Sequence, residues 1–492
     1  MRLSMRLAGR MTRPGSWGMP APVGQALFVR AAVLLVAALI LAPDPAVAQE
    51  PERDSIPTDV RVGIVYQPAF RPGIVMPPVA APDELRDLAD STRTIILRDL
   101  DQSDHFQVMG VGEDVPLKGP VNYALWDQLG AVWLLIAAIE GPPDSPVLRL
   151  SLHDVVFKLL QEVQAFELPP LHHPDMRLAL HIAADNVVGW ATGSTGMAAT
   201  KVAYVAEGPG GSEIYVVDSD GYGVRRLSND SSIALSPAWS PSGDRIAFMS
   251  YKDGDPAIYG LSLNPGRSTL LIDLPGMDLT PAYSPDGTVL AFGSTVEGRT
   301  EIFTYDLTRR CCPERATFAR YSNSLSPTFS PDGKRIAFNS DRLGQLHIFV
   351  KDMQNVSAEL VTPYIYDRSV HNAGPDWSPK GDRIAFHGWV RGTAQIFTVA
   401  PNGRGLRQLT QTSRNEDPSW APDGRHIVFS STRSGSDGLW VLDVVSGRIR
   451  ELVRGRAVRL PAWSGNLDSL SYTYPNPYPS NEAAVGSGSN NP

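Results

Sequence analysis

Cysteine is scarce in this chain: 492 residues contain two, Cys311 and Cys312, and they are neighbours. That excludes a disulfide scaffold and a thiolate metal site, both of which need several cysteines at set spacings. The pair falls in a hairpin turn of the repeat described below. Two surface thiols in a tolerant loop are expected there in preference to a vicinal disulfide. Long apolar runs are missing as well. The run at 31–42 has twelve residues, short of the roughly 20 that a membrane-crossing helix needs. Arginines up to Arg30 precede it and Ala46-Val47-Ala48 follows, so residues 1–48 read as a cleaved secretory signal. No cysteine follows the cleavage site, so no lipid anchor is expected. Losing that segment removes five Arg and one Asp, which takes the formal charge from −8 to −12. Such acidity argues against nucleic acid or an anionic membrane surface as the main partner.

Catalytic signatures are absent too. No G-x-S-x-G elbow, H-E-x-x-H, paired C-x-x-C or Gly-rich phosphate loop occurs. His172 and His173 sit beside Pro in a loop with no third ligand in sequence, which reads as a surface pair. His181 lies inside a helix pattern beside Ile182 and reads as structural.

What is present is a repeat. SPAWSPSGDRIAFMS begins at Ser236, TPAYSPDGTVLAFGS at Thr280, SPTFSPDGKRIAFNS at Ser326, GPDWSPKGDRIAFHG at Gly374 and DPSWAPDGRHIVFSS at Asp417. A sixth start, LPAWSGNL, begins at Leu460, and the intervals are 44, 46, 48, 43 and 43 residues. That is the period of a four-stranded propeller blade. Each unit has a first strand ending in an aromatic (Trp239, Tyr283, Phe329, Trp377, Trp420, Trp463), then a Ser-Pro-Asp-Gly type turn, then an alternating second strand such as Ile246-Ala247-Phe248. One aromatic per blade is the spacing of residues that pack between blades. The array enters at Lys201-Val202-Ala203-Tyr204, which matches a second strand, and its missing first strand appears at 460–464. Joining the two predicts six blades with no open sheet edge. Leu470-Ser471-Tyr472 looks like one more second strand but lacks followers, and reads as tail.

Ahead of the repeat, strands alternate with helices. Strands are expected at 60–65, 73–76, 106–109, 132–139 and around Leu148, Leu150 and Leu152. Helices are expected from Asp83, over 122–129, and from Pro174 with Leu178, Ile182 and Val187 on one stripe. The predicted organisation is a signal at 1–48, a mobile segment at 49–70 and a small α/β domain (mixed sheet, two main helices) at 71–190. A Gly/Ser/Thr linker follows at 191–200, then a six-bladed β-propeller at 201–466 closed by the C-terminal strand, and a disordered tail at 467–492.

The loops joining one blade's last strand to the next blade's first share a face with the loops between second and third strands. They offer Asp278, Asn323, Asn372, Glu416, Asp417 and Arg459, with Tyr364, Tyr366 and Trp389 nearby. Polar groups around a channel mouth with a few exposed aromatics suit protein docking. A metal-dependent hydrolase or lactonase built on Asp278, Asn323, Asn372 and Glu416 is the alternative, and needs three or four oxygens converging on one cation. A general periplasmic scaffold is a third.

The SPAWSPDG-type repeats, the helix segment Ala-Leu-His-Ile-Ala-Ala-Asp at 179–185 leading to Ala191-Thr192-Gly193, the entry KVAYV and the close LPAWS together resemble the TolB family of the Tol–Pal envelope system. The resemblance runs from the signal to Leu467. It implies a periplasmic, non-enzymatic, monomeric protein with no cofactor and no metal. Its propeller face would bind Pal, the peptidoglycan-associated outer-membrane lipoprotein, through Asp278, Thr280, Asn323, Leu325, His371, Asn372, Trp389, Asn415, Glu416, Asp417 and Arg459. A strand at the N-terminus would bind the inner-membrane protein TolA through Val60, Arg61, Val62, Ile64 and Val65. The implied role is envelope integrity and constriction at cell division. Residues 49–59 and 467–492 extend beyond the family's usual ends.

Overall fold

The computed structural model describes residues 70–111, 120–208, 210–263, 268–296, 298–319, 321–363 and 371–467. The strand expected at 60–65, Leu470-Ser471-Tyr472 and most of the tail lie outside them.

The N-terminal domain is one mixed sheet. Its strands are β1 (Gly73–Val75), β2 (Gln107–Met109), β3 (Trp133–Glu140), β4 (Val147–Asp154) and β5 (Leu159–Glu167), in the order β2-β1-β3-β4-β5. β1 runs parallel to both its neighbours, and β3, β4 and β5 are antiparallel. Helices α1 (Arg86–Gln102) and α3 (Met176–Thr192) lie together on one face. Alternation in the strands decides which residues they cover: Leu135, Ala137 and Ile139 of β3 and Leu148, Leu150 and Leu152 of β4 meet Ile96 and Leu100 of α1 and Leu180, Ala184 and Val187 of α3. A short helix, α2 (Tyr123–Gln128), sets Trp126 against Leu134 on the other face.

β5 is the strand that sequence reading missed. It is the outer edge of the sheet and nearly all its residues are exposed, so LLQEVQAFE carries no one-sided burial to produce a period-2 pattern. The stretch expected to be a linker is also different. α3 runs to Thr192, Gly193 ends it in the left-handed conformation (φ 69°), and Met197, Ala198 and Ala199 are buried. The Asp185 carboxylate accepts the N–H groups of Ala198 and Ala199 at 2.9 and 2.8 Å. Burial pushes its pKa up to about 7 against the pull of those two bonds. The junction is packed, because a buried carboxylate needs those backbone donors.

Six four-stranded sheets follow. The first blade is built from both ends of the array: Lys201–Gly208, Gly211–Asp218 and Arg225–Arg226, with Arg459–Trp463 as its innermost strand. Ala462 pairs with Ala203 and Trp463 with Val202, while Lys201 and Ser464 exchange two hydrogen bonds at 2.9 Å. The ring is closed, as the sequence predicts. Within blades, second- and third-strand aromatics face one another in register, as in Phe248–Tyr259, Phe338–Phe349 and Phe386–Phe397, with centroids 5.6–6.0 Å apart. Trp239 donates from Nε1 to the carbonyl of Ala462 at 3.0 Å, which ties the second blade to the first. In the third blade Cys311 and Cys312, which begin the strand Cys311–Arg315, form a disulfide, not the two thiols expected.

In each blade the turns joining strands one to two and three to four lie on one face, here the turn face. The remaining loops lie on the opposite, loop face. The N-terminal domain sits on the turn face, through the end of α1 and the start of α3. Asp104 is 3.2 Å from Nε2 of the buried His426, whose Nδ1 is 2.5 Å from Asp423. Arg448 meets Asp101 and Asp104 at 2.8 and 3.0 Å, and Arg425 reaches the Asp104 carbonyl at 2.9 Å. In the other direction Arg98 and Arg177 reach Asp220 of the first blade. Burial works against charge on His426, yet the Asp423 and Asp104 carboxylates outweigh it and lift its pKa to about 9.

That shift fixes a pH signature. The stabilisation is full below the ordinary histidine value of 6.5 and is lost as pH rises through about 9. His426→Gln is expected to lower stability near pH 7 by about 3 kcal/mol, since it leaves the buried Asp423 carboxylate without its cation and Asp104 with only its arginine partners. It should also flatten the loss of stability between pH 7 and 10, read from thermal melts of both proteins. A wild-type melting temperature that is constant over that range would contradict the assignment.

Candidate docking face and channel

Each innermost strand contains an x-Pro pair, and at each pair the strand bulges. The register against the second strand shifts there in every blade. The residue before Pro takes a positive φ: Ser236 52°, Thr280 46°, Ser326 53°, Gly374 59°, Asp417 53° and Leu460 50°. A residue before proline normally stays extended, and a left-handed conformation at a non-glycine residue costs roughly 1–3 kcal/mol. Surrounding bonds must therefore hold each bulge. The signal for it was in the sequence, since proline is confined to edges and bulges and these strands are not edges.

The six bulges turn their residues into a central channel of about 520 Å³. Side chains there bond from blade to blade. Thr280 Oγ1 accepts the N–H of Ser326 at 3.1 Å, and the Asp417 carboxylate accepts that of Leu460. Lower down, the N–H groups of Trp377, Trp420 and Trp463 donate to Thr328 (3.3 Å), Asp376 (2.6 Å) and Ser419 (3.0 Å) of the preceding blade. Burial pushes Asp376 up to about 6 against its hydrogen bonds from Trp420, Ser419 and Thr328.

The proposed docking residues divide on burial. Trp389 is half exposed, with the His371 ring edge-on at 5.8 Å. Arg459 is exposed, and Glu416 pairs with Arg414 at 2.6 Å. Thr280, Leu325 and Asp417 line the channel. Asn372 is half-buried at the start of its strand. Asn323 is engaged in its own loop, donating to Asp341 at 2.9 Å and accepting from Thr300 N–H at 3.3 Å. Two expectations need correction. Asp278 and Asn415 are fully buried. Asp278 Oδ2 accepts the N–H of Leu274 at 2.7 Å, and Asn415 donates to Gln395 and accepts from Ser431 and Arg433. Both begin an innermost strand, where the side chain points into its own blade and closes the loop before it. Tyr364, Tyr366 and the N-terminal positions Val60, Arg61, Val62, Ile64 and Val65 lie outside the described residues.

The oxygens invoked for a metal-dependent hydrolase do not share one pocket, because Asp278 and Asn323 are engaged within their own blades and Glu416 holds Arg414. Among the described residues, His181, Asp218 and Asp220 alone form a group with ligand-like spacing. Arg98, Arg177 and Lys201 already neutralise its two carboxylates, and His181 Nδ1 is held by Asp99 at 2.7 Å. This is an ion-pair network of the domain junction.

A ring of six blades, closed by the strand Arg459–Trp463 and carrying an α/β domain on its turn face, defines a propeller around a central channel. The chain belongs to the TolB β-propeller family, whose TolB beta propeller domain matches residues 190–467. The Tol-Pal system protein TolB of Methylobacillus flagellatus is 32% identical over 222 residues, covering 44% of this chain and 50% of that protein. The protein of the same name from Cereibacter sphaeroides is 30% identical over 266 residues, 52% of this chain and 56% of that one. In these sequence matches the chain spans about half the length of its relatives. The crystal structure of TolB from Acinetobacter baumannii matches with a TM-score of 0.70 at 25% identity, over 80% of this chain and 97% of that one.

Asp376 offers a test of the channel wall. Its raised pKa means that stability is gained as pH falls from about 6 towards the ordinary carboxylate value of 3.8. Asp376→Asn is expected to remove that dependence and to raise stability at pH 7.5 by about 2 kcal/mol. Denaturant titrations at pH 4.5 and 7.5 read both effects, and a variant less stable than wild type at pH 7.5 would refute the assignment.

Proposed function

We propose that this chain is a non-enzymatic, periplasmic protein-binding component of a Tol–Pal-like system. Its loop face holds a peptidoglycan-associated outer-membrane lipoprotein, and its N-terminal segment pairs with an inner-membrane TolA-like protein, in support of envelope integrity and constriction at division. The observation that carries the reading is the side on which the N-terminal domain sits. It occupies the turn face, so among the described residues the loop face is left uncovered, with the exposed Trp389–His371 pair and the charges of Glu416 and Arg459 around the channel mouth. Aromatic anchors within a charged rim are the usual makings of a protein interface. Family membership and the relatives' shared name support the same system. No helix among the described residues is long and apolar enough to cross a membrane.

Capture by the soluble domain of the cognate lipoprotein tests the face. Trp389→Ala is expected to weaken binding about 30-fold, the loss of an aromatic anchor. Glu416→Lys should weaken it further and flatten its salt dependence, while His172→Ala should leave it unchanged. Equal affinities for all three would remove the assignment of this face. Deleting residues 49–70 is expected to abolish capture of the TolA-like protein and to spare that of the lipoprotein. Undiminished TolA-like binding after the deletion would end the N-terminal half of the proposal.

A further inference from the structure

The channel carries acid without base. Asp376 and Asp417 border the cavity, and among the described residues that line it none is Lys or Arg. Asp376 is met by neutral donors only: the Trp420 N–H at 2.6 Å, the Thr328 hydroxyl at 3.3 Å and Ser419. Asp417 accepts from the Ser430 hydroxyl at 3.3 Å and from the Leu460 N–H. His387, with Nδ1 3.9 Å from the Asp417 carboxylate, does not balance it. That nitrogen accepts the Asp417 N–H at 3.2 Å, so it carries no proton and the ring is neutral. Three cations of the loop face are held by other groups: Arg414 by Glu416, Arg342 by Ser324 and Ser340, Arg433 by Asn415 and Ser431. A separate observation points the same way. Asn339, 5% exposed and lining the same cavity, has an Oδ1 with no hydrogen-bond partner. A buried acceptor left so is costly, and it is met when a donor arrives.

We propose that the channel is the receptor for a guanidinium, the arginine side chain of the protein that docks on the loop face. The source of that side chain rests on the docking reading above; the chemistry of the cavity does not. A guanidinium is planar, permanently charged and carries five N–H donors, which suits two carboxylates and an amide oxygen around one space. A cavity of about 520 Å³ falls within the roughly 300–1,000 Å³ of small-molecule sites, large enough for the head group and its stem. Asn339, His387 and Asp417 come from the half of the channel nearer the loop face, where second strands end and first strands begin, so the charge is reached from the docking side.

Agmatine, a decarboxylated arginine, is the probe. Titrated calorimetrically into the full chain with EDTA present, it is expected to bind once. Its affinity should fall about tenfold or more in Asp417→Asn, Asp376→Asn and Asn339→Leu. His172→Ala should match wild type, and melts confirm that each variant folds. Absence of saturable agmatine binding, or equal affinity in wild type and all three channel variants, would overturn the proposal. A second titration uses the cognate lipoprotein's soluble domain with each surface arginine in turn replaced by methionine. One arginine should account for most of the sensitivity to Asp417→Asn. If agmatine binds and the lipoprotein does not, the docking reading fails while the receptor stands. If the lipoprotein binds equally well to wild type and to Asp417→Asn, the receptor assignment fails and the docking reading stands.

Discussion

Closure of the ring is the constraint on which the rest depends. A four-stranded blade exposes an apolar face and cannot stand alone; it is stable because neighbours cover both sides. The first blade lacks an innermost strand until Arg459–Trp463 pairs with Lys201–Gly208. That pairing places Trp463 against Ala421, Val428 and Val202 and gives its Nε1 a partner in Thr200 at 2.8 Å. Once the circle is complete, each bulged x-Pro pair is wedged between two others, and a conformation unfavourable in a free strand becomes the one that fits. The channel and its polar lining follow from that geometry.

The second organising force is electrostatic. The last turn of α1 and the residues just beyond it carry Asp101 and Asp104, and the propeller beneath brings Arg425, His426 and Arg448. The arrangement is reversed over the first blade, where Arg98 and Arg177 descend on Asp218 and Asp220. Two patches of opposite polarity side by side define one orientation of the domain, because a slide or a half-turn would bring like charges together. The packed junction at Met197–Ala199 and the seating of Leu467 against Leu178 and Ala199 act with them. The domain therefore covers the turn face as a fixed part of the molecule.

Much of this architecture was legible in the residues. The period, the one aromatic per unit and the orphan first strand at 460–464 specified blade number and closure, because a repeat reports its own packing many times over. The α/β pattern was readable wherever one face of an element was buried, as in α1 with Leu88, Thr92, Ile95 and Ile96. β5 escaped because its burial is uniform. The bulges escaped because an x-Pro pair in a strand was read for its side chains and not for its missing N–H. The loops of one face were legible as a set, but the burial of single residues in them was not. Asp278 and Asn415 look like rim residues in sequence, and only the strand register shows that their side chains turn inward. The bond between Cys311 and Cys312 depends on a local hairpin geometry that adjacent letters do not convey.

One blade drawn from two distant stretches has a bearing on how the molecule is made. Lys201 and Ser464 are 263 positions apart, and Asp104 and His426 are 322 apart. Both contacts belong to the final arrangement and neither can form early in synthesis. High contact order slows the search for the native state. A toroid sealed by Arg459–Trp463 stays open, and pliable, until that strand has emerged.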